Sequence, residues 1–227
     1  MSGKIVPLPA GKKKPSAVRG PHAERSAAMR QRLIDAAIHC LHAFGYAATT
    51  TQLVVETAKV SRGAILHHFP TKVDLMLAVA EYAAGKQNRH VRRFLAETPE
   101  GIERYIAITD ATWSAMSQPA AQALLEIMMA SRSDPELSDR LVPVVASLEQ
   151  FQREGVWELA QELGIKHRDT VLAMVRLHVA AMRGIAIELN LTGDAKAAEE
   201  SMRLLNHYKR RLTGELLAAP ADKPFDL

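Results

Sequence analysis

The sequence predicts an all-α fold of about nine helices, and three observations carry that expectation. The 227 residues are 48% apolar but only 5% aromatic, so the core has to be built from Ala, Leu, Val, Ile and Met. Ala and Leu are among the better helix formers. Apolar residues return every three or four positions, and few segments alternate in the strand period. Helix punctuation falls where those runs begin and end: Thr50, Ser61, Pro119 and Asp134-Pro135 at starts, Gly45, Gly164 and Gly193 at stops.

Taken in order, residues 1 to about 23 are rich in Pro, Gly, Lys and Ala and read as a mobile basic arm. A helix over about Glu24–Phe44 follows, with Leu33, Ala37, Cys40 and Leu41 inward and Gly45 ending it. Two short helices are expected over about Thr51–Ala58 and Ser61–His67, separated by Lys59 and Val60 alone. Thr50 and Ser61 are suited to cap them, because each hydroxyl can take an orphan backbone N–H. Pro70 stops the second, since the residue before a proline is pushed out of the α region. Lys72 to about Ala96 reads as one long helix with a bend or thin packing site at Gly85. Further helices are expected over Glu100–Met116, Pro119–Ser131, Asp134–Leu163 (kinked at Pro143), His167–Leu189 and Ala195–Leu217. The last should turn Ala198, Met202, Leu205, Tyr208 and Leu212 inward.

Two helices joined by so short a turn form a helix-turn-helix, which presents a helix of the right diameter to the major groove of B-DNA. Arg62 stands at the start of the second helix, where base edges are reached, and Gly63 and Ala64 let the backbone come close. A bundle hairpin would carry a wider apolar stripe through Ser61–Ala64. Charge agrees. Residues 1–80 hold eleven Lys and Arg against four Asp and Glu, whereas the remainder holds eighteen against twenty-one. A basic head on an acidic body suits DNA binding at one end.

The segment resembles the DNA-binding motif of the TetR family of repressors. The matching residues are Thr49-Thr50, Val54, Ala58, Val60-Ser61, Gly63, Ile65 and His68-Phe69-Pro70-Thr71-Lys72. The approach also matches, through Arg32-Leu33-Ile34-Asp35-Ala36-Ala37 and Phe44-Gly45-Tyr46. Lys59 stands where the family usually has glycine. A non-glycine residue with φ > 0 costs on the order of 1 kcal/mol, so the turn is expected to be reshaped. Leu66 and His67 replace a usual aromatic pair.

The resemblance implies a ligand-responsive DNA-binding regulator, usually a repressor, that binds a palindrome as a dimer through its last two helices. It assigns DNA contacts to Thr50, Thr51, Gln52, Ser61, Arg62, Gly63, Ala64, His67, His68 and Lys72. The expected division is a basic arm over 1–23, a DNA-binding head over 24–84, a ligand-binding and dimerisation body over 85–217 and a tail over 218–227. The long helix from Lys72 is the expected mechanical link. The family's effector pocket lies among the middle helices, and the lining candidates are Trp113, Met116, Leu125, Met128, Met129, Phe151, Trp157, Met174 and His178. That set suggests a small, apolar effector. Arg104, Arg176 and Arg183 are available for an anionic one, although structural ion pairs are the plainer reading.

No catalytic residue, metal site or cofactor is expected. The chain has no glycine-rich phosphate loop, nucleophile elbow or Cys–His arrangement. His39 and His42 lack partners at ligand spacing, and the lone Cys40 reads as a small buried hydrophobe. No apolar run is expected to span a membrane, and a cytoplasmic protein follows. The competing reading is a helical ligand-binding or adaptor protein without DNA binding.

Overall fold

The computed structural model of the chain describes residues 20–220. Among these residues the regular structure is helical throughout, in nine helices. They are α1 (Pro21–Ala48), α2 (Thr51–Ala58), α3 (Arg62–His68), α4 (Lys72–Ala96), α5 (Ile102–Met116), α6 (Pro119–Ser131), α7 (Pro135–Glu162), α8 (Arg168–Thr192) and α9 (Ala195–Ala218). Most boundaries fall within two or three residues of those expected. The basic arm lies outside the described residues as far as 19, and its last part, from Pro21, is already the first turn of α1. Of the expected tail, residues 221–227 are outside as well.

Each boundary has a chemical cause. Gly45 takes φ 73°, ψ 176° and breaks the helical path of α1. Thr50 caps α2 by accepting from Leu53 N–H at 3.1 Å, and Ser61 caps α3 by accepting from Ala64 N–H at 3.2 Å. Thr71 and Asp74 form a reciprocal capping box at the start of α4. Asp134 caps α7 through Leu137 N–H, with Pro135 in its first turn. Neither α4 at Gly85 nor α7 at Pro143 contains a residue with non-helical φ/ψ, although the missing Pro143 N–H remains.

Two apolar cores divide the described chain, and the division differs from the sequence boundary between head and body. The first joins α1–α4 to α6 and the front half of α7, through Leu33, Leu41, Val54, Ile65, Leu75, Leu124, Ile127 and Leu137. The head is therefore seated on α6. The second lies among α5, the back half of α7, α8 and α9, through Tyr105, Ile106, Ala160, Val171, Met174 and Leu216.

Two further expectations are corrected. The buried face of α9 is Ala198, Met202, Lys209, Thr213 and Leu216, while Tyr208 is 56% exposed. Ala198 and Met202 face inward as expected and Leu212 packs on the second core, but Lys209 and Thr213, not Tyr208, complete the inner stripe. And α8 is long and apolar enough to cross a membrane by length and composition, with a mean hydropathy of 1.5 over 18 residues. Its apolarity is spread over two faces. Val171, Met174, Val175 and Met182 are buried, whereas Leu177, Ile187 and Leu191 are open to solvent.

Candidate nucleic-acid interface and internal cavity

The helix-turn-helix is fixed from below. Val54, Val55 and Ala58 of α2 and Ile65 of α3 enter the first core, Ile65 being 1% exposed. The turn keeps the geometry that a glycine would give. Lys59 is left-handed at φ 51°, ψ 51°, and is the only non-glycine residue with positive φ among those described. Val60 N–H reaches Val55 O at 3.2 Å and Lys59 N–H reaches Glu56 O at 3.1 Å, closing a Schellman motif. The expected reshaping does not occur. Those two bonds, with Val54, Val55 and Ala58 packed beneath, hold a lysine in a conformation that it would not choose.

The candidate DNA contacts then sort by setting. Ser61, Arg62, Gly63 and His67 are exposed on α3, and Ala64 is half-buried. The Thr50 and Ser61 hydroxyls accept from their own helices, which leaves each O–H free to donate outward. Thr51 is half-buried, and Gln52 is exposed and donates one amide hydrogen to Glu56 Oε1 at 2.6 Å, which leaves its second N–H and its carbonyl oxygen. His68 is half-buried between His67 and Phe69, with ring centroids 5.1 and 6.3 Å away. Burial, then the His67 and Arg30 charges, hold its pKa below the ordinary histidine value. Lys72 is the most committed. Its Nζ donates to Tyr46 O at 3.1 Å and lies 4.1 Å from the Tyr46 ring centroid. Burial lowers its pKa against the pull of Asp134. The bond to Tyr46 uses one of three ammonium hydrogens and fastens the corner after Gly45.

One pair at this end has no counterpart in the sequence reading. Arg140 of α7 donates to Asp74 Oδ1 at 2.7 Å, and that bond is the main reason that the Asp74 carboxyl titrates below the usual carboxylate range. It ties the first turn of α4 to the body across 66 residues of sequence.

The body holds a cavity of about 390 Å³ walled by α4, α5, α7, α8 and α9. Of the nine candidates named from sequence, Phe151, Met174 and His178 line it. Met116, Leu125 and Met128 line a separate recess of about 30 Å³. Trp113, Met129 and Trp157 line neither; Met129 is 61% exposed, and Trp157 packs on the second core. Among the arginines, Arg104 reaches the wall but donates to Thr98 O, and Arg183 is held by Glu149 at 3.1 Å. Arg176 is exposed on α8.

The sequence reading missed the cavity's most unusual group. Lys209 is 2% exposed, lines the cavity, and donates from Nζ to Tyr105 O at 2.5 Å and Ile106 O at 3.3 Å. Burial takes its pKa down to about 7. His178, also buried, bonds through Nδ1 with Met174 O at 2.9 Å, and burial lowers its pKa too. The sequence signal was available. Met202, Lys209, Thr213 and Leu216 are spaced seven, four and three residues apart, a helical face with a lysine inside it.

An exposed recognition-type helix on a capped three-helix head, seated on a cavity-bearing body into which α4 continues, defines a helical DNA-binding transcriptional regulator. Comparison with known proteins agrees. A family model described as "Bacterial regulatory proteins, tetR family" matches residues 33–79. The HTH-type transcriptional regulator CymR of Pseudomonas putida is 30% identical over 171 residues, covering 74% of this chain and 83% of CymR. The HTH-type transcriptional repressor AcnR of Corynebacterium diphtheriae is 40% identical over 188 residues, covering 80% of this chain and 91% of AcnR. A crystal structure of a TetR regulator from Chloroflexus aurantiacus overlays with a TM-score of 0.69 at 23% identity, over 83% of this chain and 97% of that one. The chain belongs to the tetR family of bacterial regulatory proteins.

Proposed function

We propose that this protein represses transcription as a homodimer on a palindromic operator and is released when a small, mostly apolar effector fills the body cavity. The observation that carries the reading is the position of α4. Its first residue, Lys72, stands beside α3, and its second half supplies Asn88, Val91, Arg92 and Leu95 to the cavity wall. A helix rises about 1.5 Å per residue, so Lys72 and Arg92 are about 30 Å apart on one rigid rod. A ligand that shifts the wall tilts the rod and with it both recognition helices.

In this reading Arg62 meets guanine, Gly63 and Ala64 make the close approach, and Gln52 reads adenine. Thr50, Thr51, Ser61, His67, His68 and Lys72 hold phosphate. The proposed division remains an arm over 1–23, a head over 24–84, a body over 85–217 and a tail after it. The dimer uses α8 and α9, where Leu177, Ile187, Leu191, Leu204, Tyr208 and Leu217 are exposed. Six large apolar side chains on two adjacent helices are more than a monomer's surface needs and suit a four-helix interface between two copies. The basic residues of the head, Arg62 and Lys72 among them, and the basic arm favour this regulator, acting in the cytoplasm, over a DNA-free adaptor.

The test is a fluorescence-anisotropy titration on the chain's own upstream region and on random duplex. Arg62→Ala should lose about 1–3 kcal/mol on the operator and little on random DNA. Lys72→Ala should weaken both and flatten the salt slope by about one unit. Equal losses for Arg62→Ala on both duplexes remove its base-reading role, and no binding by the wild type favours the adaptor.

A further inference from the structure

We infer that the cavity takes an amphipathic monocarboxylate, an apolar body with one carboxylate that accepts a hydrogen bond from Lys209 Nζ. The inference rests on the cavity being the effector site and names the class of effector.

The geometry points there in three steps. First, Lys209 lines the cavity and makes no ion pair within 4.0 Å among the described residues. Its ammonium meets the Tyr105 and Ile106 carbonyls and lies 4.8 Å from the Tyr105 ring centroid, neutral groups that leave its charge without an anionic partner. Secondly, the acids of the wall are not available to it. Glu154 is taken by Arg168 at 2.7 Å, and Glu158 is exposed. Asp110 of α5 helps keep Lys209 protonated, but it is exposed and accepts from Asn206 at 2.7 Å. The other charged groups on the lining are cationic, namely Arg92 and Arg104, and His178 is a neighbouring base. Thirdly, much of the remaining wall is apolar, including Val91, Leu95, Ile108, Phe151, Leu159 and Met182. A buried cation without a counter-ion costs stability, and an apolar residue of similar size would remove that cost. A carboxylate placed at Nζ supplies the missing charge, and the apolar walls take the rest of the molecule.

The experiment is isothermal calorimetry on the full chain without DNA. The probes are octanoate against octan-1-ol, and 2-naphthoate against 2-naphthylmethanol. At least one acid should bind ten or more times tighter than its alcohol, and Lys209→Met should bring the two within about twofold. A second measurement needs no variant. Burial lowers the Lys209 pKa and a bound anion raises it again, so near pH 7.5 the wild type should take up protons from buffer on binding an acid and none on binding an alcohol. Asp110 and Arg210 modulate that uptake, and His178 adds to it in the same direction. Alcohols that bind as well as acids, an acid preference that survives in Lys209→Met, or no binding by any probe would each overturn the inference. Its failure is separable from failure of the regulator reading. Acids that bind but leave operator affinity unchanged sink the effector role alone, while alcohols that bind equally and release DNA sink the carboxylate alone.

Discussion

The two ends of α4 stand in opposite chemical settings. At the DNA end the polar side chains face outward and the backbone is satisfied by neighbours three or four residues away: Thr50 with Leu53, Ser61 with Ala64, Thr71 with Asp74. At the cavity end two buried polar side chains stand apart, one with its partners on a distant helix and one with none. Lys209 reaches carbonyls more than 100 residues away, and the Tyr105 hydroxyl, whose pKa burial raises to about 12, has no hydrogen-bond partner among the described residues. The lesson is that the head is built to be stable while presenting polar groups, whereas the body gives up stability to keep polar groups inside.

The largest effect should come from the anchor of α3. Ile65→Ala removes a side chain that is 1% exposed, and a cost of about 2–4 kcal/mol is expected in urea unfolding. Leu66→Ala, one residue on and 52% exposed, should change stability by less than about 0.5 kcal/mol. Similar losses at both positions would mean that α3 is not held from beneath, and the contrast between the ends of α4 would go with it.

The cavity should answer in the opposite sense. Lys209→Met is expected to stabilise the protein by about 1–3 kcal/mol at pH 6, because it removes a buried, unpaired ammonium. The pH dependence has a definite sign. The folded pKa is about 7 and the unfolded value 10.5, so below 7 the folded wild type bears the full cost of the charge. As pH rises from about 7 toward 10.5 the unfolded chain binds more protons than the folded one, and the wild type gains stability. The advantage of the variant should therefore shrink over that window, as thermal melts at pH 6, 8 and 9.5 can follow. An advantage independent of pH would show that Lys209 holds its proton equally in the folded and unfolded states, so that burial does not lower its pKa.

These two predictions also mark what the sequence could and could not disclose. The head was legible because its signals are local: a hydroxyl three residues before the N–H that it accepts from, a proline at a stop, Val54, Ala58 and Ile65 at helical spacing. The cavity was not, because lining is a tertiary property. Met116, Met129 and Met174 look alike along the chain, yet one lines a small recess, one is in solvent and one meets the cavity. Lys209 was passed over for a related reason. Lysine is rarely buried, so Tyr208 and Leu212 were the natural choice for the inner face of α9. The Asp74–Arg140 pair spans elements 66 residues apart, and no spacing rule reaches that far.

A smaller effect tests whether the head is locally satisfied everywhere. Lys59 is the exception, a left-handed non-glycine residue inside an otherwise relaxed turn. Lys59→Gly removes about 1–2 kcal/mol of strain but adds freedom to the unfolded chain, so a net gain of about 0.5 kcal/mol is expected. Chemical unfolding with an unchanged m-value is the measurement. A loss would show that the lysine side chain makes a stabilising contact of its own.

The smallest effect concerns the fastening between the two settings. Arg140 is 45% exposed and Asp74 26%, so solvent screens the pair, and Arg140→Ala should cost about 0.5 kcal/mol or less at pH 7. The Asp74 pKa is lowered in the folded state, so the contribution is whole above the unfolded carboxylate value of 3.8 and disappears as pH falls through the lower folded one. Added salt should shrink the difference between wild type and variant at pH 7. A loss of several kcal/mol would mean that head and body are locked rigidly at α4. A small loss means that the apolar packing of α4 on α6 and α7, not this ion pair, sets what a tilt of α4 costs when filling the cavity moves α3 on DNA.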